Sequence, residues 1–452
     1  MNKSKLTFYL LGKKYGFNPK KNLDFVMESQ YWSRERVEQY QNEKLRETIE
    51  HAYKNVPYYQ KQFKKLKLTP KDFHTKEDLQ KLPVINKKIV HDNFDDFLAQ
   101  DFQKYKPLER FSGGTTGVAF KFYNDLNSWA LNWALKIRSF KWANYEPGND
   151  KLGVLAGGSL VPQNKMSPQS MMWRYLQNYY TMPISHMTED KLTRYYKNLK
   201  DKKINFLRGY PTAIYVLAKY LVEHNYKLPL VSVFTTAEML HDHQRKLINK
   251  AFGCEPFDAY GCGEGMGSAF ECEEHNGLHI SFETSIFEIL DKNGNEVKSG
   301  EEGEVVLTSL LDKAMPFIRY TPGDFAIKGE AKCSCGRDLA LIKKIIGRTS
   351  DLIEFSNGVQ LNGLSLPFEV WDKKIERFQI IQIDHDKVEV LFIIKDGFTE
   401  KDKERAHKVM QFHCGKGVDV RIKIVDDIPL PKSGKFRYVI SKYKKENNDN
   451  YQ

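Results

Sequence analysis

The chain has 452 residues, with 70 Lys+Arg against 58 Asp+Glu for a formal net charge of +12, and it is 41% hydrophobic and 13% aromatic. That length allows two or three domains with full cores, and that apolar content argues against long disordered stretches. No run reaches the roughly 18 apolar residues of a membrane-spanning helix, so no membrane span is expected; the six cysteines are too few for a disulfide scaffold, and a reducing, cytoplasmic setting is the simplest reading.

The basic excess is scattered among acidic residues. No arginine-rich run, zinc-finger spacing or aromatic RNA-binding signature accompanies it, so it reads as a solvated surface and no nucleic-acid partner is expected. The short apolar stretch Leu6–Leu11 ends at Gly12-Lys13-Lys14 without a small-residue cleavage site, which reads against a signal peptide.

In chain order, Tyr31 to Phe63 has helical spacing that begins near Ser33 and is interrupted at Val56-Pro57. A loop and a further helix are expected between Leu82-Pro83 and Ala99. Lys151–Ala156 and Ser232–Thr236 read as strands, and Lys191–Leu199 and Thr212–Glu223 as helices, an alternation that predicts an α/β body. Ile286–Leu290 and Gly303–Ser309 read as a more exposed β region with a hairpin turn at Asp291–Gly294. After Gly347 the alternation in Phe378–Ile383, Val388–Ile394 and Val418–Ile424, with a helix over Lys401–Phe412, predicts a compact ββαβ module. The expected domains are therefore 1–346 and 347–452.

Five segments carry candidate chemistry. Ser112-Gly113-Gly114-Thr115-Thr116-Gly117 combines glycines, which turn tightly and expose N–H groups, with hydroxyls, a composition suited to phosphate. It is not a Walker A loop, because no Gly-Lys-Ser/Thr follows. Tyr260-Gly261-Cys262-Gly263-Glu264 and Arg319-Tyr320-Thr321-Pro322-Gly323-Asp324 each place a carboxylate just beyond a turn. Gly347-Arg348-Thr349-Ser350-Asp351 lies at the expected domain boundary, and Pro429-Leu-Pro431-Lys432-Ser433-Gly434-Lys435 presents lysines on a Pro/Gly-framed loop.

In this order the segments resemble the adenylate-forming superfamily of acyl-CoA synthetases, in particular its phenylacetate–CoA ligase and capsular-polysaccharide biosynthesis branch. His51-Ala-Tyr-Lys-Asn-Val-Pro57-Tyr58-Tyr59 and Leu82-Pro83-Val-Ile-Asn-Lys87 resemble the N-terminal signature of that branch. The resemblance implies a large N-terminal α/β domain with mixed sheets, a small mobile α+β C-terminal domain, and a two-step reaction. ATP and a carboxylic acid give an acyl-adenylate, and CoA or an amine then takes the acyl group. It implies that Ser112, Thr115, Thr116 and the amides of Gly113, Gly114 and Gly117 hold phosphates, and that Glu264 helps hold Mg²⁺. Ala237 and Glu238 would lie against adenine with Tyr260 and Gly261 beside them, Asp324 would bind the ribose hydroxyls, and Arg348 would support ribose and phosphates. Lys435, with Thr116 and Glu264, forms the implied catalytic set, Lys435 reaching between carboxylate and α-phosphate. Ser350 and Asp351 fall at the implied hinge. Ala156-Gly157-Gly158, Tyr210-Pro211 and Gly261 fall near the implied acyl pocket, and a homodimer is common in the branch. The chain departs from the pattern at Val118-Ala119, where Lys-Pro is usual, at Pro322, where Thr is usual, and at Ser350.

A separate group of soft ligands is also visible. Cys272, His279, Cys333 and Cys335 supply the donors of a closed tetrahedral Zn²⁺ site, with His275 as a competing imidazole. Cys262, inside the nucleotide segment, is expected to confer sensitivity to thiol reagents. A carboxylate-activating ligase is therefore expected, with an amide-forming relative in capsule synthesis and a non-catalytic nucleotide-binding protein as rivals.

Overall fold

The computed structural model describes residues 16–112, 120–156, 168–184, 187–330, 332–348, 353–357, 359–361, 374–429 and 439–443, with residues 6, 9, 10, 12 and 13 near the N-terminus. The chain separates into two compact units, Met1–Ile345 and Ile346–Gln452.

Three α-helices follow one another between Pro19 and Leu66. Pro19–Ser29 is capped by the Asn18 side chain, and Arg34–Asn55 is capped by Ser33, whose hydroxyl accepts from the Arg36 amide. Val56 is extended and Pro57 begins the next helix, Pro57–Leu66. The interruption expected at Val56-Pro57 is thus a break between helices, consistent with proline's missing N–H being harmless at a first helical position.

The central element for the site is a parallel sheet. Its strand order is Tyr179–Pro183, Leu152–Ala156, Phe206–Gly209, Ser232–Thr235, Pro256–Phe257. Helices Pro168–Leu176, Glu189–Asp201, Pro211–Glu223 and Asp242–Phe252 make the crossovers. The chain order reverses between Leu152–Ala156 and Phe206–Gly209, the point where open α/β sheets leave a crevice beyond their carboxyl ends. Gly209 is required there, because a Cβ on it would lie 2.1 Å from the Leu155 carbonyl oxygen. Both faces of these strands are apolar, and Leu152, Leu155, Leu207 and Val233 are completely buried.

A larger, mostly antiparallel sheet forms the second layer. Ser285–Leu290 and Glu302–Ser309 pair along it from Ser285↔Ser309 to Leu290↔Glu304. These strands were expected to be exposed. Instead Ile286, Ile289, Val305 and Leu307 are core residues, because the N-terminal helices cover the sheet and Leu45, Ile49 and Phe63 belong to the same cluster. The turn at Asp291–Gly294 is present, with the Gly294 amide donating to the Asp291 carbonyl, inside a longer connection that ends at Glu302.

In the second unit Ile375–Asp384 and Lys387–Ile394 form a hairpin, Glu400–Cys414 is the helix, and Asp419–Ile424 pairs parallel to the second strand. Val439–Ser441 adds a parallel strand on the other edge, so the module is ββαββ. Among the described residues no helix is long and apolar enough to cross a membrane.

Candidate active site

Two of the residues singled out for the nucleotide meet directly. Tyr260 lies in the short strand Ala259–Gly261, which pairs antiparallel with Ser268–Glu271. Its hydroxyl donates to Asp324 Oδ2 at 2.8 Å. Asp324 opens the strand Asp324–Lys328, just after Gly323, whose φ of 80° makes the turn. The Gly323 amide donates to Thr321 Oγ1, and that hydroxyl donates to Glu304. Arg319 braces the same turn: it is buried, pairs with Glu288 at 3.1 Å and donates to the Leu82 carbonyl at 2.8 Å.

Glu264 stands beside this pair, with 1% of its surface exposed. Tyr320 donates to its Oε1 at 3.1 Å, Cys262 donates to its Oε2 at 2.9 Å, and the Lys87 ammonium is 3.2 Å away. Burial alone would raise its pKa, but the Lys87 charge and the hydrogen bonds outweigh that and hold the carboxyl below the ordinary glutamate value. Lys87 reaches Glu264 because Ile85–Asn86 pairs parallel to Tyr320–Thr321, with Ile85 opposite Tyr320. In the sequence Lys87 reads only as the end of an N-terminal signature, and its place beside Glu264 comes from the strand pairing alone. Cys262 does not fit the expected reactive thiol. It is buried, and burial, followed by the charge of Glu264, pushes its pKa well up, so little thiolate forms.

Ala237 and Glu238 follow the strand Ser232–Thr235. Ala237 has a φ of 70°, a left-handed conformation that costs a non-glycine residue on the order of 1 kcal/mol. The Glu238 carboxylate accepts from the Thr212 amide at 3.2 Å and from the Thr212 hydroxyl, at the start of the helix Pro211–Glu223. Its side chain therefore serves as a helix-start carboxylate. Ser112 ends the strand Pro107–Ser112, paired with Phe120–Asp125. Its side chain, Gly113, Gly114, Thr115, Thr116, Gly117, the Arg348 side chain, Ser350, Asp351 and Lys435 lie outside the described residues.

A cavity of about 210 Å³ opens beside the nucleotide residues and is lined by Tyr260, Gly261 and Cys262 among others. Its floor is the carboxyl end of the parallel sheet, at Arg208, Thr235 and Phe257, and the helix Leu126–Trp142 contributes Asn132, Lys136, Ser139 and Phe140.

The four soft ligands also converge. One donor atom each from Cys272, His279, Cys333 and Cys335 lies within 4.8 Å of every other. Cys272 directly follows the strand Ser268–Glu271 of a hairpin, and His279 sits in the returning strand Leu278–Ile280, opposite Phe270. The Cys272 and Cys333 sulfurs are 3.7 Å apart, and Cys335 Sγ is 3.3 Å from His279 Nε2. A tetrahedral zinc with Zn–S bonds of about 2.3 Å has an S···S edge of about 3.8 Å, so the spacing fits the ion. All six cysteines are free thiols. His275, the competing imidazole, instead faces Glu271 at 3.3 Å.

Comparison with known proteins shows what the chain as a whole is similar to. Residues 355–442 match the CapK C-terminal domain. Over 414 residues the chain is 27% identical to Protein CapK of Staphylococcus aureus, covering 89% of each protein. Over 331 residues it is 29% identical to phenylacetate-coenzyme A ligase of Pseudomonas putida, covering 70% of this chain and 72% of that one. The chain is a homologue of CapK and of the phenylacetate-CoA ligases. A crystal structure of 2-hydroxyisobutyryl-CoA ligase, in the postadenylation state with 2-HIB-AMP, superposes with a TM-score of 0.72 at 17% identity, covering 91% of this chain and 92% of that one. The CapK homologue therefore has the two-domain fold of the adenylate-forming ligases.

Proposed function

We propose that this CapK and phenylacetate-CoA ligase homologue is an ATP-dependent, AMP-forming carboxylate–CoA ligase. The observation that carries the reading is the Tyr260–Asp324 hydrogen bond beside an ionised Glu264, with Tyr260 also lining a cavity at the carboxyl ends of the parallel strands Phe206–Gly209 and Ser232–Thr235. The relatives named phenylacetate-coenzyme A ligase support the same reaction.

In the first half-reaction a carboxylate oxygen of the acid attacks the α-phosphorus of ATP, the bond to the bridging oxygen breaks, and pyrophosphate leaves. In the second the thiol of CoA attacks the acyl carbon, AMP departs with the C–O bonding pair, and the thiol proton passes to solvent. Asp324 offers an acceptor to the ribose hydroxyls, while Tyr260 fixes its carboxylate and presents a ring to the base. Ala237 and Gly261 line the base with backbone. Ser112 through Gly117 take the phosphates, Arg348 supports them, and Lys435 stabilises charge at the attacked phosphorus. Glu264, a hard oxygen donor kept ionised, suits Mg²⁺, which would offset the charge of the triphosphate. Cys272, His279, Cys333 and Cys335 would hold a structural zinc that joins the hairpin after Ser268–Glu271 to the segment after Asp324–Lys328.

ATP–pyrophosphate exchange against a panel of acids without CoA, followed by AMP release on adding CoA, tests the proposal. Acid-dependent exchange with CoA-dependent release is expected. Tight ATP binding without exchange for any acid would overturn it, and discharge by amines in preference to CoA would overturn its second half.

A further inference from the structure

The cavity beside Tyr260 has walls that differ in charge. Asp258 and Glu271 lie on one side, and both are engaged: Asp258 accepts from Thr235 Oγ1 at 2.6 Å, while Glu271 pairs with Arg245 at 2.6 Å and accepts the Asp258 amide at 2.8 Å. Lys136, from the helix Leu126–Trp142, and Arg208, from the strand Phe206–Gly209, line the same cavity. Neither forms an ion pair or hydrogen bond among the described residues. Their contacts are with the Phe140 ring, at 6.0 Å for Lys136 and 5.6 Å for Arg208. The positions of the first unit outside the described residues contain no Asp or Glu, so no further carboxylate of that unit is available to neutralise them.

Two cations enclosed together without a counter-ion are mutually repulsive, and burial followed by the neighbouring Arg208 charge brings Lys136 down to about 7. No carboxylate contributes to the shift of either cation; the groups that oppose burial at Arg208 are the hydroxyls of Tyr179, Tyr210 and Tyr145. An aryl or alkyl acid with only one charge would leave both cations desolvated and unpaired once the cavity fills, which is costly. A second anionic group would relieve that cost, meeting a guanidinium fork and an ammonium.

We propose that this cavity is the acyl site and that the acid it takes is a small dicarboxylic acid, whose distal carboxylate sits between Arg208 and Lys136. This rests on the carboxylate-activating reading and adds the substrate class. Arg208 and Lys136 are then the specificity-determining residues, and Asn132 and Ser139, on the same helix face, supply polar lining for the middle of the acid.

The test is CoA-free ATP–pyrophosphate exchange with matched pairs that differ only in the second carboxylate: 4-carboxyphenylacetate against phenylacetate, and glutarate against valerate. The diacid member is expected to show at least a 10-fold lower KM. Arg208→Gln and Lys136→Met should each bring that ratio most of the way to 1, with Arg208→Lys intermediate because it keeps the charge and loses the fork. The wild-type comparison needs no variant to fold. Exchange with the monoacids in preference to their diacid partners, or a ratio unmoved in folded variants, overturns this inference and leaves the ligase reading standing. No exchange with any member, while ATP still binds, overturns both.

Discussion

On the proposal that the cysteine–histidine cluster holds zinc, emptying it should destabilise the first unit substantially. The perturbation is either a strong zinc chelator or Cys333→Ser. Cys272 and Cys333 are about 60 residues apart in sequence, and a cross-link closing a loop of that length limits the unfolded chain by about 4 kcal/mol at 25 °C. A zinc that leaves on unfolding stabilises through its binding free energy instead, which is at least as large for a closed thiolate site. At about 2 °C per kcal/mol for a large unit, the melting temperature should fall by roughly 8 °C. Cys272 and His279 are completely buried, so the lost ligand field is not replaced by water without opening the hairpin. The assay is elemental analysis of protein purified under reducing conditions, with thermal melts before and after chelation. Close to one zinc per chain, lost together with the melting temperature, is the expected result. A metal-free preparation whose melting temperature is unmoved by chelator and by Cys333→Ser would refute the reasoning.

Asp324→Ala should raise the KM for ATP by about 10- to 100-fold, since a charged acceptor for the ribose is removed; Tyr260→Phe, which deletes only the 2.8 Å bond to that carboxylate, should have a smaller effect in the same direction. An unchanged nucleotide affinity in Asp324→Ala would refute the ribose contact. Lys435→Ala should cut adenylate formation by more than about 100-fold with ATP binding retained, and near-normal exchange would remove it from the mechanism. Stability should also depend on pH through two buried carboxyls. Burial, then the charge of Asp312, pushes Asp125 up to about 7, and burial pushes Asp312 up to about 6. Because these folded values lie above the unfolded one, the stability they contribute is complete below about pH 4 and is lost as pH rises through 6 to 7, on the order of 2–4 kcal/mol. Denaturation of wild type and Asp312→Asn at pH 5 and pH 8 should show a smaller decline in the variant; an equal decline would mean that this pair does not carry the effect.

Much of the fold was legible because its signals are local. The short apolar or β-branched runs at Leu152–Ala156 and Ser232–Thr235, the helices between them and the patterns in Phe378–Ile383 and Val388–Ile394 are written in neighbouring residues, and each turned out close to its expected bounds. The chemistry-bearing segments around Tyr260 and Asp324 were visible for a related reason: a glycine or proline turn followed by a carboxylate is a short pattern. What was misread followed from burial. Ile286–Leu290 leads into a hairpin turn and so reads as surface, and the helices that cover it, Arg34–Asn55 among them, lie some 240 residues earlier in the chain.

The sequence by itself determined the α/β alternation, the order of the nucleotide segments and the inventory of cysteines and histidines, since these depend on composition and short-range spacing. Tertiary structure alone decided which members of that inventory meet. It selected His279 over His275, because strand pairing turns one imidazole toward the thiols and the other toward Glu271. It placed Lys87 against Glu264 through the parallel pairing of Ile85 with Tyr320, and it enclosed Lys136 and Arg208 together in one cavity. Side chains distant in sequence become neighbours only when a sheet register and a helix face are chosen jointly, and burying the apolar surface of both layers is what makes that choice.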